Sequence, residues 1–353
     1  MAMPNQPMPT GGQAVGSYVD IVGTTGPGGE RAICYIPRLT GTPNYQPRLC
    51  VVPHGYVKAS DDSYNGVYYF WDPNQATSWD MVAIAMTGRV VLGTVMGGNA
   101  TFGNDSMLTA VQNCWNWAIS KYNVRTDKID LFGGSMGGLG TLVYMNKHPT
   151  TVNAACIQIP LVDQIDFHDQ NRIVGVGGVG VTDQNSAYGD AGGTAWKTAM
   201  ISDGRNPWHQ STNSTDATTY PGTGGSFGFA PVLGATYKIP LLIQFSPQDQ
   251  VIPPATVHAF VDQYTSGGGV AAQTSADPTN WFGGSFYTSS TPGSIIYSGG
   301  GGGWAKVSNI GLQPQSNFFP GQPATGHDVR GNLFSYPSGH SIQDIYDFFK
   351  ARP

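Results

Sequence analysis

The sequence predicts an α/β fold, a mainly parallel sheet with helices on both faces and a cap insertion. Three observations predict it. Short apolar runs alternate with segments whose apolar residues recur at helical spacing, the order that builds a parallel sheet through crossover helices. One apolar run, Ile129-Asp130-Leu131-Phe132, breaks on glycines that flank a serine, Gly133-Gly134-Ser135-Met136-Gly137-Gly138, and Leu139, Leu142 and Val143 then resume at helical spacing. Two stretches, about 163–237 and about 266–325, lose periodicity and fill with Gly, Ser, Thr and Pro; both are too long for plain connections.

In chain order, residues 1–16 are rich in Pro, Gly and Gln and form an extended arm, and 17–353 form one domain. Tyr18–Val22 and Arg31–Ile36 flank a Gly-Pro-Gly-Gly turn and read as an edge hairpin. Leu49–Val52 is a short buried strand ending in Pro53-His54-Gly55-Tyr56. Trp79–Met86 reads as a helix, and Val90–Met96 as a strand closed by Gly97-Gly98. The clearest helix runs from Ser106 to about Tyr122, with Leu108, Val111, Trp115 and Ala118 on one face and Asp105 or Ser106 as its cap. The serine-bearing turn follows, its helix ends near His148-Pro149, and Ala154–Pro160 is the next strand.

The stretch 163–237 reads as a cap or substrate-binding insertion. Ile239–Phe245 is a strand after it, and Thr256–Tyr264 a helix with Val257, Phe260, Val261 and Tyr264 inward. The Gly/Ser-rich insertion 266–325 contains Ile295-Ile296-Tyr297, a part of the last strands. The final helix is expected to begin at Ser341, where Ser341 and Asp344 form a capping box, with Ile342, Ile345, Tyr346 and Phe349 facing inward.

Composition bounds the partners. A formal net charge of -5 speaks against nucleic acid and anionic membranes, and no apolar stretch is long enough to span a bilayer. Only 11% of residues are charged while Gly (49) and Pro (25) are abundant, a surface suited to work outside cells. Met1–Gly16 has neither the basic patch nor the apolar core of a signal peptide. The expected setting is therefore extracellular by another route or virion-associated, with a cytoplasmic setting as the alternative. Cys34, Cys50, Cys114 and Cys156 all sit in apolar segments and read as small core residues; neighbouring strands would let Cys34 and Cys50 meet.

The pattern G-x-S-x-G between a strand and a helix is the context of a nucleophile elbow. A serine hydroxyl is a weak nucleophile, so it needs a base in reach, a carboxylate to orient that base, and N–H donors for the developing oxyanion. Asp249 follows the strand Ile239–Phe245 directly and is presented at the edge where ligands bind; Asp163, after the preceding strand, is the rival acid. Two histidines lie late enough in the chain to be the base. His327 sits in a Thr-Gly-His-Asp loop and is favoured, because a loop residue has the freedom to reach back over the sheet; His340, directly before the last helix, is the rival. His258, within the helix after Asp249, reads as a surface residue. The oxyanion donors are the backbone N–H of Met136, at the start of the elbow helix, and that of Tyr56, with His54 structural. Gly175 to Gly180 matches G-x-G-x-x-G but no acidic residue follows at nucleotide-binding distance, so it reads as a flexible cap segment. Asp166, His168 and Asp169 lack a spaced partner motif and read as a polar loop, leaving no metal site.

With these residues in place, the chain resembles the serine esterases of the α/β-hydrolase superfamily. The run Ile129–Pro149 is similar to the elbow of S-formylglutathione hydrolase-like esterases, polyhydroxyalkanoate depolymerases and feruloyl esterases. Lys238–Pro253 resembles their acid strand. Gly326-His327 to Phe349 resembles the depolymerase ending, whereas His340-Ser341 resembles the branch in which His-Ser opens the last helix. The resemblance covers roughly 45–160 and 238–353. It implies hydrolysis of carboxylic esters through a Ser-His-Asp triad and an acyl-enzyme, on an ester substrate that is polymeric or part of a cell envelope, with no cofactor. A peptidase or acyltransferase on the same triad is the alternative. Low lysine content with abundant Gly, Thr, Asn and Gln also resembles a bacteriophage tail component, which implies assembly into a larger oligomer or virion. A structural or carbohydrate-binding virion protein with a vestigial hydrolase domain is the reading of a different class.

Overall fold

The computed structural model describes residues 19–38, 45–57, 78–169, 179–189, 196, 200, 203–207, 239–249, 251–266, 293–298, 304–310 and 340–352. The chain runs β1 (Val19–Thr25), β2 (Arg31–Pro37), β3 (Arg48–Val51), α1 (Ser78–Met86), β4 (Arg89–Thr94), α2 (Asp105–Tyr122), β5 (Ile129–Gly134), α3 (Met136–Lys147), β6 (Val152–Gln158), α4 (Gln164–Asp169), α5 (Val179–Tyr188), β7 (Leu241–Phe245), α6 (Pro254–Ser266), β8 (Gly293–Ser298), β9 (Trp304–Asn309) and α7 (His340–Lys350). The strands form one nine-stranded sheet in the order β1-β2-β4-β3-β5-β6-β7-β9-β8. Its centre, β4 to β9, is parallel. β2 is antiparallel to β4, and the β1–β2 and β8–β9 hairpins close the two ends.

The apolar runs become strands because both faces of a parallel sheet are covered, so successive side chains are buried whichever way they point. On one face Leu131, Ala155, Ile157, Leu241 and Ile243 pack with Trp115 of α2, Leu142 of α3 and Phe260 and Tyr264 of α6. On the other, Val91, Phe132, Cys156 and Leu242 pack with Ile84 of α1 and Ile345 and Phe349 of α7. The Val, Leu, Ile and Phe side chains among these contribute about 1.5–3 kcal/mol each when fully buried. The alternation also separates two cysteines. Cys34 and Cys50 lie on strands with β4 between them and in cores on opposite faces. They do not meet, and all four cysteines are free and buried.

Several boundaries differ from the sequence reading, each for a local reason. Asn104 caps α2, not Asp105 or Ser106: its backbone is extended and its side chain accepts from Met107 N–H at 3.2 Å. Asp105 lies inside the first turn and instead receives the Arg205 guanidinium at 2.6 Å. The last helix begins at His340 rather than Ser341. The Asp344 carboxyl accepts from Lys306 and, at 2.6 Å, from Ser308 on β9, so it ties the helix to the sheet. The cap stretch holds two helices, α4 and α5, where sequence periodicity showed none. Gly180, the end of the G-x-G-x-x-G match, is part of α5. Two strands of the sheet, β8 and β9, come from within the Gly/Ser-rich stretch 266–325. The arm 1–16 lies outside the described residues.

The sheet order reverses at one point. From β3 the chain moves to β4 on one side, then returns to β5 on the other. Such a switch opens a crevice beyond the carboxyl ends of the two strands. Here β3 delivers Pro53–Tyr56 to that crevice and β5 delivers Ser135.

Candidate active site at the sheet switch point

Ser135 follows β5 directly and precedes α3, with φ 51 and ψ -117. This is a region a residue with a Cβ rarely occupies, and the surroundings hold it there. Its N–H donates to Gln158 O of β6 at 2.9 Å, and its carbonyl accepts from Leu139 and Leu161, each at 3.1 Å. The turn is so tight that two glycines are steric requirements. A Cβ on Gly133 would lie 2.3 Å from Gly137 O, and one on Gly137 would lie 2.1 Å from Pro53 O. The second contact shows that the loop after β3 lies directly across the elbow helix.

That loop is braced on its far side. The His54 ring is buried, with Nδ1 2.6 Å from Gly55 O and Nε2 2.9 Å from Val95 O. Both neighbours are acceptors, so the ring serves to clamp the loop, in keeping with the structural role read from sequence. Val57 N–H donates to Asn99 O at 3.1 Å. Tyr56 is buried, and Met136 is the first residue of α3, where helix N–H groups point outward.

Asp249 lies on the same edge two strands along. Ile159 N–H donates to Gln244 O at 2.7 Å and Ile310 N–H to Phe245 O at 3.0 Å, so the strand ends from β5 to β9 form one ledge. Asp249 follows four residues after β7, is 5% exposed, and accepts on Oδ1 from Val251 and Ile252 N–H at 2.9 and 2.8 Å. Two backbone donors fix the plane of its carboxyl group. The rival acid, Asp163, is held in a similar way. Its Oδ1 accepts from Ile165 and Asp166 N–H and from Asn206 Nδ2, which caps α4 and ties it to the segment 203–207.

Of the two candidate bases, His327 lies outside the described residues. His340 opens α7, whose first turns are anchored to the end of β9 by Asp344. His258 is half-buried on α6 rather than on the surface, and burial holds its imidazole below the usual histidine range. The thiols of Cys50 and Cys156 are pushed well above their ordinary range by burial. His168 belongs to α4 and its Nε2 lies 3.0 Å from Asn185 Oδ1. Among the described residues no group of His, Cys, Asp and Glu is arranged to hold a metal ion, and no helix is long and apolar enough to cross a membrane.

Sequence reasoning missed a buried polar row beneath the elbow. Gln158 Nε2 donates to Asp80 Oδ2 of α1 at 3.1 Å and to Gln244 Oε1 at 2.8 Å. The signal was an acid in an otherwise apolar helix and two glutamines closing apolar strands. Burial pushes Asp80 up from 3.8 to about 7, against a smaller lowering by the Gln158 hydrogen bond. Between those two values the folded chain holds a proton that the unfolded chain has released. This group's contribution to stability is therefore greatest below about pH 4 and falls as pH rises through about 7. Asp80→Asn removes the ionisation. It is expected to flatten the stability profile over that window and to stabilise the protein by roughly 2–4 kcal/mol near pH 8. Urea unfolding at several pH values checks this; an unchanged pH slope would show that Asp80 does not titrate there.

Comparison with known proteins adds a partial family match and a set of similar folds. Residues 104–273, just under half the chain, match the model of the prolyl oligopeptidase family. No curated protein matches the chain. Among solved structures, lipase A of Candida antarctica is similar at 16% identity with a TM-score of 0.44, over 77% of this chain and 78% of that one. An esterase of Pyrococcus furiosus is similar at 12% identity with a TM-score of 0.40, over 74% and 85%. Oligopeptidase B of Leishmania major is similar at 12% identity with a TM-score of 0.43, over 71% of this chain and 31% of that one. A parallel core with an antiparallel β2, a strand order that switches between β3 and β5, and a serine turn at that switch give the chain the α/β-hydrolase fold.

Proposed function

We propose that the protein is a serine hydrolase that cleaves carboxylic esters through an acyl-enzyme formed on Ser135. The observation that carries this reading is the backbone of Ser135, held at φ 51 and ψ -117 between β5 and α3, with the ledge that presents Asp249 two strands away. Strain of this kind, at a cost of about 1–3 kcal/mol, persists where surrounding contacts enforce it and clusters at active sites.

The reaction follows from the placement. Ser135 Oγ attacks the ester carbonyl carbon while a histidine takes its proton. Asp249 accepts from the other ring nitrogen and stabilises the imidazolium. The carbonyl oxygen becomes an oxyanion and receives the N–H groups of Met136 and Tyr56. Collapse of this intermediate breaks the bond to the alcohol, which leaves with the histidine's proton. Water, deprotonated by the same histidine, then attacks the acyl-enzyme and releases the acid and Ser135.

The base is His327, with His340 as its rival. His327→Ala is expected to lower kcat for a short p-nitrophenyl ester by about 10⁴-fold, and His340→Ala by less than about tenfold. The reverse pattern would transfer the role to His340. A peptidase on the same residues is the second reading, favoured by the match of 104–273 to the prolyl oligopeptidase family. An ester and an anilide with the same acyl group separate the two: ester-only turnover supports the esterase, and comparable anilide turnover the peptidase. The setting is extracellular or virion-associated, a reading supported by the low charge and high glycine content of the chain.

A further inference from the structure

A donor to a developing oxyanion must be held to within about half an ångström, and sites on loops are the hardest to hold. Tyr56 is such a residue, in a loop between β3 and α1. Its backbone is braced from the sheet side through Val57 and His54. Its side chain has another anchor, 127 residues further along. The Tyr56 hydroxyl donates to Asp183 Oδ2 at 2.7 Å, and Asp183 lies on α5, inside the cap. Tyr56 is 7% exposed and Asp183 8%. A buried carboxyl group on a cap helix costs desolvation unless its partners are well placed.

The same helix holds the turn that follows β4. Tyr188 OH donates to Phe102 O at 2.6 Å, and Asn104 Nδ2 donates to Ala187 O at 3.1 Å. The Phe102 ring sits 5.6 Å from the Tyr56 ring and 6.0 Å from that of Phe167 on α4. The cap therefore meets the catalytic edge at the residue assigned as second oxyanion donor. One hydrogen bond and a row of three aromatic rings make that contact.

We infer that Asp183 is a positioning residue for the reaction at Ser135. By holding the Tyr56 phenol it fixes the Tyr56 N–H, so the oxyanion hole is complete only while the Tyr56–Asp183 bond to the cap is made. The inference rests on the ester-hydrolase reading above and adds a coupling between substrate cover and transition-state stabilisation.

Tyr56→Phe and Asp183→Leu break the same bond from its two ends. Each is expected to lower kcat by about tenfold or more while KM changes by less than about twofold, since deleting a donor outright costs about 10²–10³-fold. A trifluoromethyl ketone, which forms the tetrahedral adduct, should lose affinity by the same factor as kcat. The double variant should be no worse than either single one, because the bond is lost only once. Asp183→Asn retains an acceptor oxygen and should recover most of the rate. Tyr188→Phe is the control: it cuts another bond of the same helix and is expected to lower Tm while leaving kcat within about twofold. Wild-type kcat in both Tyr56→Phe and Asp183→Leu, or an equal kcat loss in Tyr188→Phe, overturns the coupling while the hydrolase stands. A wild-type protein that neither turns over ester nor labels at Ser135 overturns the hydrolase reading, and the coupling with it.

Discussion

Ser135→Ala is expected to abolish ester turnover, with kcat down by about 10⁴-fold or more, and to leave the fold intact. The size of the loss follows from the roles: without Oγ there is no acyl-enzyme, and only the oxyanion donors and substrate binding remain. The intact fold follows from geometry. Alanine keeps the Cβ that already tolerates φ 51, and the Ser135 side chain makes no cap hydrogen bond to α3. The backbone bonds to Gln158, Leu139 and Leu161 are untouched. Ser135→Gly sharpens the point. It is equally inactive, yet it releases the strain of a Cβ at positive φ and is expected to raise stability by about 1 kcal/mol. A protein that becomes inactive and more stable with one substitution is trading stability for a nucleophile. Circular dichroism and urea unfolding, run beside initial rates, read both effects; turnover retained in Ser135→Ala would remove the serine from the mechanism.

Asp130→Ala is expected to cost about 3–5 kcal/mol of stability. Asp130 is fully buried at the start of β5, at the edge opposite the candidate active site. Its Oδ2 accepts from Arg89 Nε at 2.6 Å, its Oδ1 accepts from Asn153 Nδ2 at 2.8 Å, and Arg48 Nε lies 3.9 Å away. Arg89 is itself buried, donates to Thr87 and to Arg352 O, and lies over the Phe349 ring at 5.0 Å. One carboxyl group thus ties β4, β5 and β6 to the end of α7. Its removal leaves the Arg89 guanidinium in the interior without a counter-charge, a larger loss than the pair's own net worth. Because this clamp is remote from Ser135, a refolded fraction of Asp130→Ala should keep its kcat. A midpoint of urea unfolding equal to that of the wild type would show that the clamp contributes little.

The strand-helix alternation was legible because a parallel sheet buries both faces and writes continuous apolar runs. β3 to β7 and the helices α1 to α3 appear where the runs lie. The elbow was legible for a steric reason, since only glycine fits at Gly133 and Gly137. The position of Asp249 just beyond β7 was legible from the apolar strand before it. What escaped was encoded between elements. The roles of Asp105 and Asp344 depend on partners, Arg205 and β9, that are brought near only by folding. The separation of Cys34 from Cys50 depends on β4 inserting between their strands, a topological fact with no local signature. The polar row of Asp80, Gln158 and Gln244 joins three elements, and the Tyr56–Asp183 bond reaches from the sheet into the cap. Helices α4 and α5 were hidden because short helices packed among polar residues carry little amphipathic period.

The central claim is that Ser135 is an activated nucleophile, and covalent labelling tests it most directly. The folded wild-type protein is treated with a fluorophosphonate, digested, and its peptides are sequenced by mass spectrometry. One adduct is expected, on the peptide containing Ser135, absent after heat denaturation and absent in Ser135→Ala. No adduct on the folded protein, or an adduct at another residue that persists in Ser135→Ala, would contradict it.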